Sequence, residues 1–258
     1  MTPLLQAKTI IVVGAAGRIG RVIVNAILSA GGHVVALDND TSGLHLLSEA
    51  HHTDALECSS VDMTDRASLD RALSNTHERY GAVDGAVNTA YPRNQRYGRQ
   101  FFDVEYADFC ENTSLHMGGY FLFMQACARY ALERRQAFSL VNLSSIYGSM
   151  APRFGVYADT AMTMPVEYAA IKAGLEHMTR YVTAYMKGRN TAFRANCVSP
   201  GGIQAGQDER FLKRYGSHCL SKGMLDADDI TGAVLFLLSD NARHISGQNL
   251  IVDDGFSV

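Results

Sequence analysis

No C-x-x-C pair occurs among the five cysteines, Cys58, Cys110, Cys127, Cys197 and Cys219. An odd count at wide spacing excludes a disulfide scaffold as the organising device. Cys127 and Cys197 sit in apolar runs and read as inert core residues. The 9 histidines are scattered, with no H-E-x-x-H or similar ligand spacing, so no metal is expected. The adjacent His51-His52 pair reads as a solvated loop. Neither sign of charge is in excess: a formal net charge of -3 gives no global pull toward nucleic acid or an anionic membrane. Long hydrophobic runs are missing as well. The first apolar run, I-I-V-V-G, is too short for a signal peptide or a membrane span. These absences lead to the expectation of a soluble protein of the reducing cytoplasm. No Pro/Ser-rich linker or internal repeat divides the 258 residues, so residues 1–258 are expected to form a single domain.

What is present is an alternation. Short apolar runs lie at 9–14, 33–38, 55–62, 85–88, 139–144, 194–200 and 249–253. Continuous β-branched runs of this length suit strands buried on both faces. Amphipathic segments such as R-I-G-R-V-I-V-N-A-I-L-S-A, ended by Gly31-Gly32, lie between them. Strand–helix alternation along the whole chain predicts an α/β fold with a doubly wound parallel sheet covered by helices.

V-V-G-A-A-G-R-I-G (12–20) follows the first predicted strand and opens the first predicted helix. That is the setting a dinucleotide loop requires, and it makes the fold Rossmann-type. Gly14 permits the tight turn, Gly17 lets the backbone approach a pyrophosphate, and Gly20 allows close helix–strand packing. Arg18 and Ile19 begin the helix whose N-terminus faces the phosphates. A merely glycine-rich turn is the competing reading. Asp38 ends the second strand, where a carboxylate accepts hydrogen bonds from ribose hydroxyls and repels a 2′-phosphate; NAD is therefore favoured over NADP. Arg18, a cation near the loop, could serve a 2′-phosphate instead. Asp62 and Met63, at the end of the third strand, are placed to flank an adenine ring. A helix N-cap at Thr64 or Asp65 competes for the same stretch.

Tyr168 and Lys172 stand four residues apart in V-E-Y-A-A-I-K and would share a helix face. Taken alone that spacing is common. Together with G-A-A-G-R-I-G, Asp38, V-D-M-T-D, V-N-T-A (87–90), N-L-S-S-I-Y-G (142–148), S-P-G-G-I (199–203) and S-G-Q-N-L-I-V-D-D-G (246–255), it resembles the short-chain dehydrogenase/reductase family over nearly the whole chain. The resemblance implies Ser145, Tyr168 and Lys172 as the catalytic set. By that resemblance hydride would pass between nicotinamide and a carbinol or carbonyl carbon, Tyr168 would exchange the proton, Lys172 would favour the phenolate and hold ribose hydroxyls, and Ser145 would bond the substrate oxygen. Asn88 resembles the family's structural asparagine, although the usual N-A-G is N-T-A. Pro200, Gly201 and Ile203 resemble the segment that receives the carboxamide, but the customary threonine after it is Ala205. Matching on G-Y-F-L-F-M-Q-A puts His116 where the family usually has Asn, with Asn112 one turn earlier. His116 is either a proton relay with a pKa suited to it or a packed histidine.

Two loops are unusual for the family. The stretch M-A-P-R-F-G-V-Y-A-D-T-A-M-T-M-P lengthens the Ser145–Tyr168 interval, and A-Y-P-R-N-Q-R-Y-G-R-Q (90–100) follows the fourth strand. In a doubly wound sheet both adjoin the ligand crevice. Arg93, Arg96 and Arg99 could therefore face an anionic substrate, with Tyr91 and Tyr97 stacking on a ring; solvated arginines are the alternative. The wording A-Y-P-R-N, S-S-I-Y-G-S-M-A-P-R-F and T-M-P-V-E-Y-A-A-I-K resembles the flagellin-modification oxidoreductases of bacterial sialic-acid-like (legionaminic acid) sugar pathways. That resemblance implies a phosphorylated or nucleotide-linked sugar as substrate, and relatives assemble as dimers or tetramers. The rivals are a 3-oxoacyl thioester reductase, which would call for NADP and a basic residue where Asp38 stands, and a catalytically idle NAD-binding scaffold.

Overall fold

The computed structural model describes residues 3–190 and 192–258. Seven strands form one sheet in the order β3-β2-β1-β4-β5-β6-β7, and every neighbouring pair is parallel. They are β1 (Thr9–Val13), β2 (His33–Asp38), β3 (Leu56–Ser60), β4 (Gly85–Asn88), β5 (Phe138–Leu143), β6 (Phe193–Pro200) and β7 (Asn249–Val252). The helices are α1 (Arg18–Ser29), α2 (Thr41–Ala50), α3 (Arg66–Tyr80), α4 (Tyr106–Asn112), α5 (Gly119–Arg134), α6 (Ile146–Ser149), α7 (Val166–Met186), α8 (Glu209–Gly216) and α9 (Thr231–Leu238).

Successive residues of β1 serve opposite faces. Ile10 and Val12 join the core under α1, α2 and α9, while Ile11 and Val13 join the core under α3, α5 and α7. Burial on both sides is why the strand sequences are continuously apolar rather than alternating. The chain leaves β1 toward β2 and β3, then crosses back to β4 on the other side. That reversal opens a crevice at the carboxyl ends of β1 and β4. A third, smaller cluster covers the far end of the crevice, with Tyr147, Tyr157, Phe211, Tyr215, Met224 and Phe256 buried together.

Two local features matter for the site. Asp65 caps α3 by accepting from the Ala67 amide, so the capping residue is Asp65 and Thr64 precedes it. Between α4 and α5 the helix continues through a π-helical turn, Thr113–Gly118, and His116 lies on it. Such wide turns re-aim side chains and recur at functional sites.

Candidate active site

A cleft of about 1160 Å³ runs along the crevice from Asp38 and Asp62, over the glycine loop, to Ser145 and Tyr168. Gly14 adopts φ +78, and a Cβ there would lie 2.6 Å from the Ala90 nitrogen and 2.7 Å from Thr89 Oγ1. Only glycine fits. The threonine of N-T-A has a role at this turn: its hydroxyl lies 2.9 Å from the Val13 carbonyl and 3.0 Å from that of Gly14, bracing the loop from β4. A Cβ on Gly20 would approach the Gly14 carbonyl to 2.0 Å, so α1 can start this close to β1 only with glycine there. Gly17 caps α1 with no side-chain hydrogen bond, and the N-terminal end of α1, with Arg18 and Ile19, lines the cleft. A backbone cradle without side chains in front of a helix N-terminus fits a pyrophosphate.

Asp38 accepts from the Ala16 amide at 2.9 Å and from the Asp40 amide at 3.0 Å, which fixes its carboxylate on the cleft wall. Each oxygen keeps a further acceptor site for a ribose hydroxyl. Arg18 does not turn toward Asp38; its guanidinium donates to the Gln204 carbonyl at 2.6 Å, across the crevice. Asp62 accepts from the amide and hydroxyl of Thr64 at 2.8 and 2.7 Å. Met63 lines the cleft and packs closely over Gly119, where a Cβ would sit 2.9 Å from its Cε. Asn88 is fully buried, accepting from the Ala90 amide at 3.1 Å while its carbonyl accepts from Tyr120. Pro200, Gly201 and Ile203 line the opposite wall. Beside them, Gln207 braces the backbone around Ala205. Its side chain accepts from the Ala205 amide at 2.7 Å and donates to the Ile203 carbonyl at 2.8 Å.

At the far end Ser145 caps α6, its Oγ accepting from the Tyr147 amide at 3.2 Å. Tyr168 and Lys172 occupy successive turns at the start of α7. The Lys172 ammonium donates to the Leu143 carbonyl at 2.7 Å and lies 5.5 Å from the centre of the Tyr168 ring. Burial pulls Lys172 down to about 7. Burial likewise pushes Tyr168 above the usual phenol range, and hydrogen bonding with Ser145 opposes it.

His116 is 1% exposed, its Nε2 3.5 Å from the Lys172 nitrogen. Burial first, then the charges of Lys172 and Arg93, drives it down to about 2. Of the two readings of this histidine, relay or packed residue, burial and the neighbouring cations weigh toward the packed one by favouring the neutral ring.

The arginine loop divides. Tyr91 stands edge-on to Tyr168 at 5.6 Å and to His116 at 5.2 Å, lining the cleft. Arg93 also lines it, with its guanidinium 4.7 Å from the Tyr91 ring centre. Arg96 and Arg99 do not line it. Both turn to Asp108 on α4, at 3.6 and 3.9 Å. Tyr97 stands behind Tyr91, their hydroxyls 2.7 Å apart. The lengthened stretch between Ser145 and Tyr168 supplies Tyr157, Met162 and Met164 to this wall, as its length implies. Phe211 and Tyr215 come from α8, which carries no such signal in the sequence; the Tyr215 hydroxyl accepts from the Gly202 amide at 2.6 Å. Among the described residues no cluster of His, Cys, Asp or Glu could hold a metal ion, and no helix is long and apolar enough to cross a membrane.

Comparison with known proteins agrees with this geometry. A family model described as enoyl-(acyl carrier protein) reductase matches residues 14–257. Post-translational flagellin modification protein A of Campylobacter coli is 36% identical over 99% of this chain and 100% of its own length. The 3-oxoacyl-[acyl-carrier-protein] reductase FabG of Thermotoga maritima is 27% identical over 98% of this chain and 99% of its own. Among solved structures, a short chain dehydrogenase from Leptospira borgpetersenii with bound NAD+ superposes with a TM-score of 0.88 at 28% identity, covering 100% of this chain and 95% of that one. The chain belongs to the short-chain dehydrogenase/reductase family of oxidoreductases.

Proposed function

We propose that this protein is a cytoplasmic, NAD-dependent oxidoreductase acting on a secondary hydroxyl or ketone of a phosphorylated or nucleotide-linked sugar, in surface or flagellar glycan biosynthesis. The observation that carries the reading is the placement of Ser145, Tyr168 and Lys172 at one end of a cleft whose other end holds Asp38. Bound NAD supplies the hydride acceptor or donor. The chain's own residues handle the proton. In the oxidising direction the phenolate of Tyr168 takes the hydroxyl proton as the carbon loses hydride; in the reducing direction the phenol returns it to the carbonyl oxygen. Ser145 bonds that oxygen and stabilises its partial charge. Lys172, anchored on the Leu143 carbonyl, would favour the phenolate electrostatically in its protonated form. His116, neutral, contributes a hydrogen-bonding group beside Lys172 rather than a titrating one.

Charge along the cleft supports an anionic substrate. Asp38, Asp40 and Asp62 line the adenosine end, whereas the wall around Tyr168 carries Arg93 and no carboxylate among its described lining residues. Tyr91 supplies a ring face and Arg93 a planar donor fork suited to phosphate or carboxylate. The flagellin-modification protein of Campylobacter coli, similar along its full length, supports the glycan setting.

The test is a cofactor-reduction screen against phosphorylated and nucleotide-linked sugars, with 3-oxoacyl thioesters alongside. Turnover confined to the thioesters would replace the sugar reading, and no turnover in any class would favour the idle scaffold. On the substrate so found, Tyr168→Phe keeps the ring and removes the proton donor. Turnover should fall at least ~100-fold with NAD affinity nearly unchanged.

A further inference from the structure

Glu176 is a buried carboxylate, 6% exposed, whose partners among the described residues are serine hydroxyls. Ser144 lies 3.1 Å from its Oε1, Ser149 lies 2.9 Å from both oxygens, and Ser199 lies 3.3 Å from Oε1. Burying an ionised carboxylate is unfavourable unless its acceptor sites are filled, so this arrangement is a built one. Its proton directions are set by the surroundings. The Asn249 amide donates to Ser149 Oγ at 3.0 Å, so the Ser149 proton is left for Glu176. Ser144 is shared with the Lys172 carbonyl at 3.2 Å.

The positions of these serines give the network its meaning. Ser144 immediately precedes Ser145, and Ser149 ends α6, the single turn that Ser145 caps. Glu176 thus grips the Ser145 turn on both sides. On α7 it stands one turn beyond Lys172 and two beyond Tyr168, on the same face. The contact is close: a Cβ on Gly148 would lie 2.5 Å from Glu176 Oε1 and 2.9 Å from the Lys172 carbonyl. Ser199, at the strand end that leads into Pro200 and Gly201, gives its proton to Asn249 Oδ1 at 2.7 Å, so the grip of Glu176 rests on Ser149 and Ser144.

We propose that Glu176 is a positioning residue that sets the separation of the Ser145 hydroxyl from the Tyr168 phenol by clamping the β5–α6 turn onto α7. It touches neither hydroxyl itself. It acts by holding two backbones in register, and Ser145 can then lower the proton affinity of Tyr168. The inference rests on reading Ser145 and Tyr168 as the proton-handling pair, but on no particular substrate.

The test needs no substrate. In the full-length protein saturated with NAD+, whose positive nicotinamide would offset the burial that otherwise holds the Tyr168 phenol above its usual range, ultraviolet difference titration with Tyr168→Phe as the blank isolates ionisation of that phenol. Glu176→Gln keeps the side-chain shape and halves the acceptor oxygens. It should raise the Tyr168 midpoint by about one pH unit, a tenfold change in phenolate fraction. Ser149→Ala, which leaves the carboxylate in place, should move it in the same direction by less. If both variants titrate like the wild type while melting at a lower temperature, Glu176 is only a stabilising group and the proposal fails. Should Glu176→Gln not fold, Ser149→Ala decides alone: a raised midpoint supports the clamp and an unchanged one overturns it. A failed sugar screen leaves this titration unaffected, so the two readings fall separately.

Discussion

Single side chains at the two ends of the cleft separate cofactor choice from proton chemistry. Asp38 is held by two backbone amides, so it cannot swing away from a 2′-phosphate without losing both. NAD(H) should bind more tightly than NADP(H) in calorimetric titration, and Asp38→Ala should narrow the gap; equal affinities in the wild type would remove the argument. His116 offers a test in stability. Its folded-state pKa is depressed to about 2 by burial, against about 6.5 in the unfolded chain. Between those values the unfolded state binds the extra proton, so stability falls as pH falls through that window, by about 1.4 kcal/mol per pH unit at most. His116→Asn should flatten the pH dependence of urea unfolding between pH 6 and 4 relative to the wild type. Parallel curves for the two proteins would show that the ring accepts a proton in the folded state.

At the scale of elements, strands and loops differed in how much the sequence revealed. Each of the seven apolar runs became a strand, with ends agreeing to within a residue or two. A strand buried on both faces leaves its signature in consecutive residues, as Ile10–Val13 illustrate. Gly14 was legible for a related reason, since its turn is local; Ser145, Tyr168 and Lys172 were legible only through the family resemblance, the four-residue Tyr–Lys spacing being common by itself. The arginine loop was legible only as a place. Its conformation is decided by Asn94, whose amide nitrogen donates to Asn112 at 2.9 Å and whose side chain donates to Asp108 and Glu111. Asn112 in turn reaches Glu167, next to Tyr168, at 3.3 Å. No spacing rule reveals partners eighteen and fifty-five residues apart. Nor does sequence show that Asp108 draws Arg96 and Arg99 away while Arg93 stays with Tyr91. If the proposed substrate is anionic, Arg93→Lys should therefore raise its KM with NAD affinity unchanged, losing part of a charge-assisted contact worth about 1.5–3 kcal/mol because lysine keeps the charge but not the planar donor fork. Arg96→Lys and Arg99→Lys should leave KM alone. Steady-state kinetics on all three decide it, and an effect at Arg96 or Arg99 equal to that at Arg93 would point to loop order rather than anion recognition.

For the whole molecule, the sheet accounts for the apolar face of each helix that packs on it, and some large apolar residues are left over. On α7, Tyr181 and Tyr185 stand four residues apart and are 68% and 51% exposed. Phe121 at the start of α5 is half exposed, and Tyr106 opening α4 is more so. Beneath that surface the helices are packed closely: a Cβ on Gly174 of α7 would lie 2.5 Å from the sulfur of Met117 on the π-turn. Of these helices α7 carries Tyr168 and Lys172, so burying its outer face would also steady the proposed reacting groups. A second copy of the chain is the expected cover, because a two-fold interface buries the same excess on both partners. Sedimentation at micromolar concentration should find dimers or tetramers. Tyr181→Asp combined with Tyr185→Asp places charge where aromatic surface would be desolvated. That variant should shift the distribution toward monomer with its circular dichroism unchanged. A wild type that sediments only as monomer would rule out the assembly, and a double variant that still dimerises would move the interface away from α7.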